Sequence, residues 1–440
     1  MDQQPPAAAA GPARLLLKGG TVLSLDPAVG NFDIADVLIE GTKIAAVEPN
    51  ITAGSATLID ASNTIVMPGF VDTHRHMWEG QLRSILPNGL LPDYLQEIKG
   101  AAASAYRPDD AYVGDLISGL GALNAGVTTV LDWSHIGNSP AHTDAAIEGL
   151  RESGLRGVYA FGSGAGGSGN RFPQDIKRLR SRYFASDDQL LTLAMAAWAD
   201  PAQWTLAREV GAPITLHVNG ANQLAPLERW MGPDVTCIHC NNLTEAEWQL
   251  VARSGAHVSI SCPIEMEMGH GVPPIQQALD HGIRPSLSVD VETGMPGDFF
   301  TQMRSVFTLQ RMLAINRAHA TGGAPPLLTV RAVVEFATIQ GARDNHLDHK
   351  IGTLTPGKEA DVILLRTDAV NVMPVNNAFG AIVLGMDTSN VDTVIVAGAV
   401  KKRAGQLVGV DLARVRRLAE SSRDYIVSKT GWSRSIVDER

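Results

Sequence analysis

At 440 residues, with 45% apolar and 19% charged residues, the chain can bury a large core, and this composition excludes a disordered or fibrous protein. A net charge of −10 with no basic stripe excludes nucleic acid as the expected partner. Three cysteines, Cys237, Cys240 and Cys262, are too few for a disulfide framework, and a CxxC without a second one is a poor structural zinc site, so they read as reduced thiols of a cytoplasmic protein.

The opening "MDQQPPAAAAGPAR" has neither a basic start nor an apolar run, so it reads as a loose tail rather than a signal peptide. No run of 18 apolar residues follows, and no membrane span is expected. "LLLKGGTVLSLD" and "DIADVLIEGTKIAAVEP" alternate apolar residues between glycine turns, as strands do. The same texture returns in "GTLTPGKEADVILLR" and "VDTVIVAGAVKK". Residues 14–64 and 351–405 are therefore expected to form one composite β-sandwich.

Residues 65–350 have a different rhythm. Eight strand-like runs, "IVMPGFVDTH", "GVTTVLDWSH", "GLRGVYAFG", "LLTLAMAAW", "PITLHVNG", "VTCIHCNN", "HVSISCP" and "PSLSVDVE", alternate with segments of helical spacing such as "PAHTDAAIEGLRES" and "TEAEWQLVARSG". Eight such alternations imply an α/β fold, a parallel (β/α)₈ barrel of the TIM type. Residues 406–440 contain an amphipathic helical extension.

Chemistry on such a barrel sits where strands end. The first run ends in His74 and His76, two residues apart and so on one face of a strand. The second ends in Trp133 and His135, the fifth in His217 and Asn219, the sixth in His239, and the eighth in Asp290 and Glu292. Of 12 histidines in the chain, these five fall on the expected rim, which chance placement explains badly. His74, His76, His217 and Asp290 offer three nitrogens and a carboxylate, a set suited to Zn²⁺ first and Fe²⁺ second. A divalent ion held this way brings the pKa of water toward neutrality. Asp290 can also take the water's proton, and His239 can face the substrate and stabilise developing charge. Trp78, Gln81, Trp133, His135, Asn219, Glu265 and His270 are the candidate substrate-binding residues.

The order HxH, His, His, Asp, framed by "MPGFVDTHRH", "GVTTVLD" and "GTLTPGKEADVILL", resembles the amidohydrolase superfamily, and within it the cytosine-deaminase-like, triazine-hydrolase branch. The likeness runs from about residue 14 to 405. It implies a single metal ion on His74, His76, His217 and Asp290, because binuclear relatives carry a lysine at the end of strand four and "LTLAMAAWAD" has none. It further implies hydrolysis of a carbon–nitrogen bond in a small, neutral or cationic substrate, such as an N-heterocycle, by a protein that assembles as a homo-oligomer. One departure stands out. Deaminases of this branch carry a Glu three residues after the strand-five His, where this chain has Gly220. Glu265, Glu267, His270 and Glu292 are the candidates to supply the missing acid, and the alternatives are removal of a halide or alkylamine, or a ligand-binding relative that has lost turnover.

Overall fold

The computed structural model describes residues 14–52, 54–166, 168–323 and 327–437, so the expected N-terminal tail lies outside the described residues. Eight strands, β1 (Phe70–Arg75), β2 (Val127–Ser134), β3 (Arg156–Phe161), β4 (Leu191–Ala196), β5 (Ile214–Asn219), β6 (Val235–Asn241), β7 (His257–Ile260) and β8 (Ser286–Leu287), form one sheet in sequence order. Every neighbouring pair is parallel. β1, β2 and β3 are buried along their whole lengths, as strands covered on both faces must be. The sheet closes where Asp290 N donates to His74 O at 2.9 Å and His76 N donates to Asp290 O at 2.8 Å. Each of the eight expected runs thus supplies a barrel strand.

The first run is shared between two sheets. Thr64–Pro68 pairs antiparallel with Val362–Arg366 outside the barrel, and only Phe70–Arg75 enters it. The chain passes from the outer sheet into the barrel at Gly69. A Cβ there would lie 2.2 Å from the Thr128 side chain, so glycine is required where the chain crosses.

The two ends of the chain meet in a nine-stranded mixed sheet. Arg14–Leu23 lies between Asn31–Glu40 and Thr64–Pro68, and the downstream strands Val362–Arg366, Val391–Val396 and Ala399–Arg403 continue the sheet. Gln406–Leu407, expected in the helical extension, adds a last short strand. Leu17, Val37, Ile39, Val362, Leu364 and Ile395 fill its core. Arg156, at the start of β3, joins the two bodies: its Nε lies 2.7 Å and its Nη2 3.1 Å from the Asp361 carboxylate, all nearly dry.

Helices α1 (Pro108–Asn124) and α2 (Leu412–Thr430) pack on the outside of the barrel. α2 starts at an Asp411 cap that accepts from Arg414 N, and it buries Val415 against Leu116 and Leu120 of α1. Among the described residues, no helix is long and apolar enough to cross a membrane.

Candidate active site

His74 and His76 leave β1 on the same face, as the two-residue repeat of a strand requires. β5 brings His217 beside them, and the turn after β8 brings Asp290. His74 Nε2 lies 3.1 Å from Asp290 Oδ1 and 3.2 Å from His217 Nε2, and His76 Nε2 lies 3.4 Å from the same carboxylate oxygen. One donor atom from each of the four residues falls within a 4.8 Å span. Lone pairs crowded this closely repel unless a cation or protons sit among them. For bonds of about 2.0–2.1 Å, a tetrahedral zinc site has donor–donor edges of about 3.3 Å, close to the separations observed, so the residues fit such an ion.

The ring environments support that reading. The Trp133 carbonyl can only accept, so His76 Nδ1, 2.8 Å away, carries that ring's proton and Nε2 keeps its lone pair. Burial pushes the pKa values of His74, His76 and His217 below the usual histidine value, holding the rings neutral as ligands must be. Burial would raise the Asp290 carboxyl, but its contacts with His74, His239 and His76 hold it far below the usual carboxylate range. Asp290 also sits in the left-handed region, with φ of 69°. A non-glycine residue there costs about 1–3 kcal/mol, and the paired backbone on either side holds it.

His239 ends β6 with φ of 73°, beside Cys240 at 62°. The register slips between Val218–His239 and Asn219–Asn241, leaving Cys240 as the extra residue of a bulge that re-aims the strand end. His239 Nδ1 lies 3.1 Å from Glu265 Oε1, and its Nε2 lies 3.8 Å from Asp290 Oδ2. Burial lowers its pKa, but the hydrogen bond to Glu265 and the charges of Asp290 and Glu265 outweigh it, so the net direction is up.

A cavity of about 220 Å³ opens over these groups. Of the candidate substrate-binding residues, Trp133, His135, Asn219 and His270 line it. His135 stacks flat on His76 at 3.9 Å and accepts from Trp78 Nε1 at its Nδ1, 2.8 Å away. His270 is 6% exposed, and neither of its ring nitrogens has a hydrogen-bond partner among the described residues. Burial brings its pKa down to about 4, so the ring is neutral near neutral pH.

Three candidates do not reach the cavity. Trp78 is fully buried behind His135, which takes its one donor. Gln81 donates to the Tyr106 hydroxyl, the Asp110 carbonyl and Ser422, and so ties α2 to the barrel. Glu265 stands behind His239 and accepts from Ser261 N at 2.9 Å, outside the cavity lining. Of the other two candidate acids, Glu292 is consumed by Arg83 and Ser118. Glu267 lies against Gly294, outside the cavity lining.

The cavity also has walls that the strand-end argument missed. Leu91, Tyr94, Leu95 and Lys99 come from one segment between β1 and α1, which is π-helical over Leu95–Ala102. Trp198 follows β4, and Met268 follows β7. A wide π turn inside a helix is a frequent mark of a functional site, but it leaves no clear imprint on apolar spacing.

The amidohydrolase family matches residues 65–401. The chain belongs to that family. As an amidohydrolase it is a metal-dependent hydrolase acting on carbon–nitrogen bonds other than peptide bonds. It is 24% identical to a 5'-deoxyadenosine deaminase of Methanosarcina barkeri, over 95% of this chain and 99% of that one. It is 27% identical to a 5-methylthioadenosine/S-adenosylhomocysteine deaminase of Desulforudis audaxviator, over 92% and 97% of the two chains. In fold, this amidohydrolase resembles a zinc-bound adenosine deaminase of Xanthomonas campestris, with a TM-score of 0.81, 21% identity and coverage of 95% and 99%. It also resembles an atrazine chlorohydrolase of Arthrobacter aurescens complexed with zinc and atraton, with a TM-score of 0.79, 22% identity and coverage of 94% and 100%.

Proposed function

We propose that this amidohydrolase binds one divalent ion, Zn²⁺ in the first instance, through His74, His76, His217 and Asp290, and removes an amino group from a small N-heterocycle. The observation that carries the reading is the convergence of three imidazole nitrogens and one carboxylate oxygen beneath the cavity. Such an ion, when bound, acts as a Lewis acid that makes water nucleophilic near neutral pH. A single ion agrees with the end of β4, where Ala196, Ala197 and Trp198 offer no ligand. The relatives that deaminate purine derivatives agree with the bond chosen.

The residues divide the remaining work. Asp290 Oδ1 faces His74 and His76, which leaves Oδ2 to accept the proton of the attacking water. Glu265 fixes the proton of His239 on Nδ1 and favours a charged ring, so that Nε2 can donate to the substrate as negative charge develops. Trp133 and His135 form a wall against a flat ring, and His270, beside His239, offers a hydrogen bond. The cavity is smaller than the roughly 300–1,000 Å³ of drug-sized sites, which suits a single ring with a compact substituent.

Gly220 bears on the leaving group. Its φ of 137° is a conformation other residues avoid, and its N–H donates to Asn241 O at 2.9 Å. No acidic side chain can project from that position. This one feature favours a second reading, in which the departing group is a halide or an alkylamine that needs less protonation.

A metal-loaded screen of amino-, alkylamino- and halo-substituted heterocycles, read by ammonia, amine or halide release, decides between the two. The proposal expects ammonia release and about one ion per chain by metal analysis, both lost in Asp290→Asn. Protein carrying no ion when supplied with zinc would refute it without reference to any substrate.

A further inference from the structure

Among the described residues, one fixed cation lines the cavity, and the mechanism leaves it unused. Lys99 comes from the π-helical segment Leu95–Ala102 and lines the cavity beside the end of β2. Its Nζ donates to the His135 carbonyl at 2.8 Å and sits 5.8 Å from the centre of the Trp78 ring. An ammonium has three donors, and this bond accounts for one of them. Among the described residues no carboxylate comes within ion-pairing distance of it. The nearby acid Glu79 is buried and engaged by the Tyr94 hydroxyl at 2.5 Å. Burial brings the Lys99 pKa down to about 8, as befits a cation short of counter-charge.

The charge balance is one-sided. Among the described residues, Asp290 is the only carboxylate that lines the cavity. A divalent ion with Asp290 would leave one net positive charge, and Lys99 adds a second. A cavity with low-dielectric walls and an uncompensated positive charge selects for an anion. Much of the remaining lining is apolar, with Leu91, Leu95, Trp198, Met268 and Val291, so an anionic group on the substrate is drawn toward Lys99 rather than toward these walls.

We infer that Lys99 is a specificity-determining residue that receives a compact anionic group, a carboxylate, carried on the ring of the substrate. The inference deepens the function proposed above and rests on it. It replaces the neutral or cationic substrate expected from sequence with an anionic one.

The test uses zinc-loaded full-length protein and a matched pair of probes, pyridine-3-carboxylate and pyridine-3-carboxamide, with binding measured by calorimetry. Wild-type protein is expected to bind the carboxylate about tenfold more tightly than the amide, in line with a charge-assisted hydrogen bond. Lys99→Met removes that preference, Lys99→Arg keeps most of it, and both variants retain the metal content of wild type. Equal affinities in wild type, failure of both probes to bind, or a preference that survives in Lys99→Met would each overturn the inference; the last would assign the anion to the ion instead. Metal content is measured on the same samples. A wild-type protein that takes up no zinc refutes the proposed function, and the carboxylate preference is then read on the metal-free protein.

Discussion

Replacing Arg156 with Met tests whether the barrel and the mixed sheet are held as one unit by the ion pair between them. The guanidinium makes two contacts to Asp361, at 2.7 and 3.1 Å, and approaches Glu359 at 3.6 Å. Both carboxylates are nearly dry, so removing the cation leaves buried charge behind, which typically costs about 3–5 kcal/mol. Two features bring the expectation to the lower end. Asp361 still accepts from Ala397 N at 2.8 Å, and Glu359 keeps its ion pair with Lys43. The expected loss is about 3 kcal/mol in urea unfolding of chelator-treated protein, followed by circular dichroism and tryptophan fluorescence together. Removing Asp361 as well, in Arg156→Met/Asp361→Leu, should cost less than the two single losses combined, because the pair is then absent rather than broken. Zinc affinity should be unchanged, since Arg156 begins β3 and the ligands lie at the other end of the barrel. A loss under about 1 kcal/mol, or a fall in zinc affinity alongside stability, would refute the reasoning.

Three further outcomes follow from the site and its surroundings. Glu265→Gln should lower kcat by about a hundredfold, because it frees the proton and charge of His239, while His270→Ala should lower kcat/KM by about tenfold through a lost hydrogen bond. Steady-state kinetics within twofold of wild type for both would remove the loop after β7 from the mechanism. His257 lies 2.9 Å from Asp344, and although burial lowers its pKa, the carboxylate wins and the folded value lies above 6.5. Its contribution to stability is therefore fully present below pH 6.5 and fades as pH rises through the folded value. His257→Gln should flatten that part of the wild-type stability curve, and an unchanged slope in denaturant unfolding across pH 6–8 would contradict the assignment.

The barrel was legible because its signal is repetitive. Eight apolar runs at even spacing, each closing on polar residues, leave few architectures open, and the HxH at residues 74–76 needs only the two-residue strand repeat to aim both rings together. What sequence could not reveal depends on contacts remote along the chain. Thr64–Pro68 and Phe70–Arg75 read as one strand because both are apolar, and only the tight passage at Gly69 divides them. Gln81 looked available to substrate until Ser422, 341 residues away, occupied it. Glu265 stands behind His239 and outside the cavity lining, and the spacing of "SCPIEMEMGHG" does not say which side chain turns behind that ring. Lys99 was invisible because a basic residue in a polar helix usually faces water, and the π turn that brings it to the cavity has no periodic signature.

The most direct test of the central claim is X-ray absorption at the zinc edge on reconstituted protein. The account predicts one ion per chain, about three imidazole nitrogens at roughly 2.0–2.1 Å with oxygen completing the shell, and no zinc–zinc scattering. A spectrum without imidazole ligation, or one that needs a second zinc nearby, would contradict it.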